Sequence, residues 1–271
     1  MQIQVSWKGG FGNRLIQYVV ARLIGKRLIQ NVVPFSFSDM YPFTSGDRYL
    51  STVESYDQFD QIKEDTLVHN CLNPCYKFPN KGYPREIIVN EQNFLDVLNN
   101  PEKYTDCAVL MVDGFFQSKE FVLNYRDEIK ELFGSPKKEP PIEGVFVHCR
   151  LGDRIDIDET ECFQLQPYLH DALSSMPNLD NITEKYISSD SLSHPITQGL
   201  ISKFNLKIYK GATCETLSFG ARFSNKILSW GTFGWWIGLL NNQNNIICPS
   251  KKRIKAPWYG DIFVFDEWNK V

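Results

Sequence analysis

Nowhere does an apolar run approach the roughly 18 residues that a membrane-spanning helix needs. The opening MQIQVSWKGG holds neither the basic nor the long apolar segment of a secretion signal. A soluble, cytoplasmic protein is the expectation. Positive charge is not in excess either: 29 Lys and Arg face 32 Asp and Glu, for a net charge of -3. That balance argues against nucleic acid as a partner and requires any anionic ligand to be met by a few placed cations. Cysteine is odd in number, seven at irregular spacing, which fits reduced thiols better than a disulfide framework. The glycine segment GGFGN has neither the G-x-G-x-x-G spacing of a dinucleotide fold nor the GK[ST] ending of a P-loop, so neither NAD nor ATP hydrolysis is supported. HNCLNPC carries His69, Cys71 and Cys75 but no ligand pair downstream, and no metal is expected.

What is present suffices for a packed core: 42% of the residues are hydrophobic and 14% aromatic. IQVSW alternates Ile3, Val5 and Trp7 on one face, KGGFGN supplies a turn, and Leu15, Ile16, Val19, Val20 and Leu23 follow at helical spacing. This predicts a strand, a glycine loop and a helix. Residues 31 to 108 alternate short apolar runs with polar clusters and show no repeat. GFFQSKEFVLNYRDEIKELF, 114 to 133, reads as a turn and an amphipathic helix, and GSPKKEPPIEG behind it as a linker. The predicted organisation is an amino-terminal lobe over 1–135, a second lobe over 144–250, and a tail, 251–271, packing back on the first.

Within the second lobe the rhythm becomes regular. Strands are expected in VFVHC, KYISS, LKIY, KILSW and NIICP, with helices near 164 to 175 and 196 to 203 and in ETLSFGARF and TFGWWIGLL. Such alternation predicts an α/β fold with a parallel, doubly wound sheet, whose ligands lie beyond the carboxyl ends of the strands. Polar residues fall at those ends: His148, Arg150 and Asp153 in GVFVHCRLGD, then Ser188, Ser189 and Asp190, then Ser229 to Gly234.

One arginine and a Gly/Thr-rich turn opening a helix suit a diphosphate, bound by backbone amides and a bidentate guanidinium. The alternative for Arg150 is a structural bridge to Asp153 or a nearby carboxylate. Asp190 either holds a ribose or base edge or caps the next helix. GGFGN is either a tight turn or a loop closing over a ligand between the lobes. Cys149 is expected to be a buried, inert thiol, because neighbours on a strand point to opposite faces and His148 cannot activate it. Trp235 and Trp236 are expected in the core.

Taken in chain order, GGFGNRLIQY, GFFQS, HCRLGD, SSDS, ETLSF and TFGWW resemble the GGLGNQ, G-Y-F-Q-S, H-x-R-R-G-D, S-D-D, E-D/T-L and S-F-S-W-W segments of the alpha-1,2-fucosyltransferase family. The matches run from residue 9 to about residue 250. The resemblance implies a two-lobed, GT-B-like inverting glycosyltransferase with a Rossmann-like carboxyl-terminal lobe. It implies no cofactor or metal, GDP-fucose as donor and a glycan hydroxyl as acceptor. It assigns Arg150 to the β-phosphate, His148, Ser189 and Asp190 to the nucleoside side, and Thr232, Phe233 and Gly234 to the phosphates. Gly10, Gly12 and Asn13 would line the cleft. Asp153, with Asp156 and Asp158 close behind, would take the acceptor's proton; Asp153 and Asp158, with Arg150, are the candidate catalytic residues. The sequence departs from the family at Leu151, in place of a second arginine, at Arg154, in place of a tyrosine, and at Gly234, in place of a serine. Those departures keep two alternatives open: another nucleotide sugar, UDP- or GDP-linked, or a noncatalytic glycan-binding relative.

Overall fold

A computed structural model describes residues 2–6, 8–28, 32–35, 85–133, 140–152, 159–240, 245–250 and 262–271. The chain divides into two compact units, Met1–Ser135 and Pro136–Val271. Among the described residues no helix is long and apolar enough to cross a membrane.

In the first unit β1 (Gln2–Ser6) runs through a glycine turn into α1 (Phe11–Leu28). Leu15, Ile16, Val19, Val20 and Leu23 are all buried, so the helical spacing read in the sequence is the face that packs. Gln17, fully buried on the same helix, reaches back to the turn. Its amide nitrogen donates to the Lys8 carbonyl at 3.1 Å and its oxygen accepts the Lys8 N–H at 3.0 Å, so a buried polar side chain is satisfied by the loop it orders. With β2 (Val32–Phe35), β3 (Glu86–Val89) and β4 (Val109–Val112) the strand forms a parallel sheet in the order β2-β1-β4-β3. Three helices follow the later strands: α2 (Phe94–Asn99), α3 (Lys119–Asn124) and α4 (Arg126–Phe133). Where one amphipathic helix was expected, α3 and α4 are separated at Tyr125. That residue buries its ring and donates its hydroxyl to Asn99 Oδ1 at 2.5 Å.

Among the described residues the second unit repeats strand and helix four times and adds two further strands. The strands are β5 (Ile142–Cys149), β6 (Glu184–Ser189), β7 (Lys207–Ile208), β8 (Phe223–Leu228), β9 (Asn245–Cys248) and β10 (Asn269–Lys270). Between them run α5 (Glu159–Ser174), α6 (Pro195–Phe204), α7 (Thr213–Ala221) and α8 (Thr232–Leu239). All strand pairs are parallel, in the order β10-β9-β8-β5-β6-β7. This is the order of a doubly wound, Rossmann-like sheet, and its direction of winding reverses between β5 and β8.

β5 shows why the sequence there is so apolar: the six residues from Gly144 to Cys149 are all buried, as a strand covered on both faces requires. Val145, Val147 and Cys149 join Ile187, Ile227 and Ile247 in one core with α5 and α6. Phe146 and His148 project from the other face, toward Gly220 of α7 and Gly234 of α8. Side chains brace the sheet at both ends. Asn269 donates to Asn245 at 2.7 Å, Asn245 to Asn225 at 3.3 Å and Asn225 to the Gly144 carbonyl at 3.0 Å. Near the carboxyl ends, the Tyr168 hydroxyl of α5 donates to the carbonyls of Leu228 and Ile247, at 2.8 and 3.1 Å.

Residues 262–271 belong to the second unit, where β10 extends the sheet beside β9 and Trp268 packs on Gly238 of α8. The physical reason is apolar demand: Ile262, Phe263, Phe265 and Trp268 are buried and cover the aromatic end of α8, with Phe265 stacked on Trp235. Residues 251–261 lie outside the described residues.

Candidate functional site

The point where the second unit's sheet reverses direction is occupied by the carboxyl ends of β5 and β8. Arg150 follows β5 by one residue. Its backbone N–H donates to Ser229 Oγ at 2.9 Å, which joins it to the end of β8 just ahead of α8. Its Nε lies 3.4 Å from Asp190 Oδ2, with the two side chains 39% and 20% exposed, so the guanidinium is oriented by a carboxylate and reachable from solvent. The other oxygen of Asp190 accepts the N–H groups of Leu151 and Gly152, at 2.9 and 3.0 Å. Charge-assisted bonds of this kind fix a loop more firmly than neutral ones. Gly152 makes the approach possible: it has φ +33° and a Cβ there would stand 2.4 Å from Asp190 Oδ2. The pair with Asp190 is the bridge to a nearby carboxylate that the sequence left open for Arg150.

His148 lies beneath this loop. It is 6% exposed, its Nδ1 is 3.0 Å from Ser229 Oγ, and its ring lies 5.2 Å from that of Phe233. Burial pushes its pKa down from 6.5 to about 4; the Asp190 charge opposes that shift and the Arg150 charge adds to it. At neutral pH the imidazole is therefore uncharged. Gly231 occupies the cap position just before α8 and has no side chain, so the first turn of Thr232, Phe233 and Gly234 opens the helix without a side-chain cap. A helix start of this kind favours anions.

The structure thus brings His148, Arg150, Asp190, Phe233 and Gly234 to one neighbourhood, with Thr232 buried at the start of the same helix. Ser189 faces elsewhere. Its hydroxyl accepts the Ser191 N–H at 3.0 Å and lies 3.5 Å from Thr197 Oγ1 of α6, on the side of the sheet that also buries Cys149. The expected helix-capping role of Asp190 is not seen either. His194 caps α6, by accepting the Ile196 N–H at 3.2 Å. Asp153, Asp156 and Asp158, the candidate proton acceptors, and Arg154 lie outside the described residues, as does the HNCLNPC segment. Ser229 was legible only as the start of a polar strand end. Its place between Arg150 and His148 depends on β5 and β8 being neighbours.

The first unit has its own strand-end cluster. Its sheet reverses between β1 and β4, and the loop after β1 holds Gly10, Gly12 and Asn13, the residues expected to line a cleft, while GFFQS follows β4. Gly9 takes φ +68° and lies against Asn13, so the tight-turn reading of GGFGN applies to it. Gly10 precedes α1, Gly12 is buried in its first turn, and Asn13 Oδ1 accepts from Gln117 Nε2 at 3.0 Å. That bond joins GGFGN to GFFQS. Lys8 Nζ lies 2.5 Å from Asp113 Oδ1 across the same pair of loops. Phe116 between them has φ 53°, an uncommon conformation for so bulky a side chain and one that concentrates at functional loops. Gln117 is legible in the sequence only as part of GFFQS; its bond to Asn13 depends on β1 and β4 being neighbours.

No protein-family model matches the chain, and no curated protein matches it.

Proposed function

We propose that the chain is an inverting glycosyltransferase of two-lobed, GT-B-like form that transfers L-fucose from GDP-fucose to a hydroxyl of a glycan acceptor in the cytoplasm. The observation that carries this reading is the meeting, at the switch point of a doubly wound sheet, of a carboxylate-oriented arginine and a helix start without a side-chain cap. Open α/β sheets bind their ligands at that place, and this pair of features suits a diphosphate. Further support comes from the order of the six segments that resemble the fucosyltransferase family. Two of them, GGFGN and GFFQS, are joined by the Asn13–Gln117 bond.

On this reading the diphosphate leaves with growing negative charge, which the Arg150 guanidinium and the first-turn amides of α8 stabilise in place of a metal ion. The acceptor oxygen attacks the anomeric carbon opposite the breaking bond to phosphate, so the carbon is inverted. The hydroxyl proton passes to a carboxylate, Asp153 or Asp158. His148 is unsuited to that step, because burial keeps its basicity far below neutrality; it contributes a ligand contact.

Calorimetric titration with GDP and UDP, alongside turnover assays, tests the proposal. GDP binding is expected, and Arg150→Ala should abolish donor hydrolysis and transfer while leaving the thermal unfolding transition in place. A preference for UDP would reassign the donor. Binding of neither nucleotide, or near-normal turnover by Arg150→Ala, would overturn the reading.

A further inference from the structure

Ser229 is fully buried, and among the described residues its hydroxyl has two partners. One is the Arg150 backbone N–H, 2.9 Å away, which can only donate. The other is His148 Nδ1 at 3.0 Å, which can donate or accept according to the tautomer. A hydroxyl holds one proton and two lone pairs. If Nδ1 carried the ring proton, Ser229 Oγ would accept twice and its own proton would be buried without an acceptor, the arrangement that hydrogen-bond accounting penalises most. Only one assignment satisfies both groups: Ser229 donates to a bare Nδ1, and the ring proton sits on Nε2.

We propose that Ser229 is a positioning residue that locks His148 as the neutral, Nε2-protonated imidazole, so that the ring offers a single N–H donor to an acceptor atom of the ligand. Three observations support the second half of that statement. Among the described residues no group accepts a hydrogen bond from Nε2, and this nitrogen is not one of the fully buried polar atoms left without a partner, so it is not sealed into the core as those are. The ring is fixed in place, with Phe233 on one side and α8 closing over it at Gly234, where a Cβ would stand 2.9 Å from Nδ1. The same Ser229 oxygen also accepts the Arg150 N–H, so the residue that sets the tautomer also sets the start of the loop carrying the guanidinium. The site therefore selects a ligand presenting a lone pair at this point and rejects one presenting an N–H, because two opposed donors repel and remain buried unpaired. This deepens the nucleotide-binding reading and rests on it for the identity of the ligand alone.

The tautomer can be tested without any ligand. In long-range 1H–15N spectra of the full chain, which has four histidines, the His148 signals are those lost in His148→Gln. The wild type should show an unprotonated imine Nδ1 and a protonated Nε2 throughout pH 5.5 to 8. Ser229→Thr keeps the hydroxyl and should keep that pattern. Ser229→Ala removes it and should give mixed tautomers, with GDP affinity about tenfold weaker. A protonated Nδ1 in the wild type, or an unchanged pattern in Ser229→Ala, would overturn the assignment; should the alanine variant not fold, the wild-type and threonine spectra still decide. Failure of GDP to bind a protein that shows the expected tautomer would count against the nucleotide reading and leave the Ser229 assignment intact.

Discussion

At Gly234 the chain departs from the S-F-S-W-W pattern that TFGWW otherwise resembles, and the neighbouring atoms give the reason. A Cβ built there would lie 2.8 Å from the Ser229 carbonyl oxygen and 2.9 Å from His148 Nδ1, so α8 can sit this close to β5 only with glycine at its third position. Gly234→Ser, which introduces the serine of that pattern, must push the histidine or the helix aside. We expect a loss of about 1 to 3 kcal/mol in stability, as overpacking of a dense interior gives, together with weaker GDP binding. Chemical denaturation and calorimetry measure the two, and a variant as stable and as avid as the parent would refute the close packing. The second departure has a similar origin. Leu151 is fully buried in the core formed with α5 and α6, so a guanidinium at that position would be carried into an apolar interior without a partner. Leucine, and not a second arginine, suits this position because of how the loop after β5 is turned, with Asp190 holding the Leu151 and Gly152 amides.

Among the elements, β8 carries the largest electrostatic anomaly. Lys226 sits in its centre opposite Phe146 of β5 and Ile246 of β9, fully buried, and among the described residues its Nζ has no hydrogen-bond partner. Burial alone depresses its pKa from 10.5 to about 7. Between those values the unfolded chain binds a proton that the folded chain does not, so this residue makes stability rise with pH from about 7 to 10.5. Below pH 7 both states are protonated and the penalty is complete, on the order of 4 to 5 kcal/mol for a shift of that size. Lys226→Met is expected to stabilise the protein most at pH 7 and below, and progressively less toward pH 10. Denaturation series at pH 6.5 and 9.5 read this directly, and equal gains at the two would show that the amine is not buried uncharged. A lysine at the first position of KILSW gave no warning of its burial, because it stood at the edge of the predicted strand, whereas β8 begins three residues earlier at Phe223. The strands and helices themselves were legible where apolar periodicity is strong, as in VFVHC and TFGWW. They were not where tertiary contacts set the limits: α5 starts at Glu159 with Pro167 inside it, β7 is two residues long, and Tyr125 splits one predicted helix into two.

For the whole molecule, alternation of strand and helix foretold a parallel sheet but could not foretell its order, and the order is what creates the site. Nothing local in HCRLGD or TFGWW says that β5 and β8 are neighbours; that follows from which hydrophobic strands pair, and from it come the bonds from Ser229 to both Arg150 and His148. The same limit explains the tail, whose buried aromatics find their partners on α8 through contacts no short window contains. One consequence can be tested on the intact protein. With a net charge of -3 the chain offers no general attraction to a diphosphate, so on the proposed reading the leaving group is met by local donors, Arg150 and the α8 amides. Donors of this kind are fixed before the reaction and need no exchangeable ion. Transfer from GDP-fucose should therefore proceed at an unchanged rate after exhaustive chelation with EDTA, whereas Arg150→Ala should stay inactive when Mg2+ or Mn2+ is added in excess. Activity that vanishes on chelation and returns with a divalent ion would move the charge-stabilising role from the guanidinium to a metal, and the arrangement at the β5–β8 switch point would need another explanation.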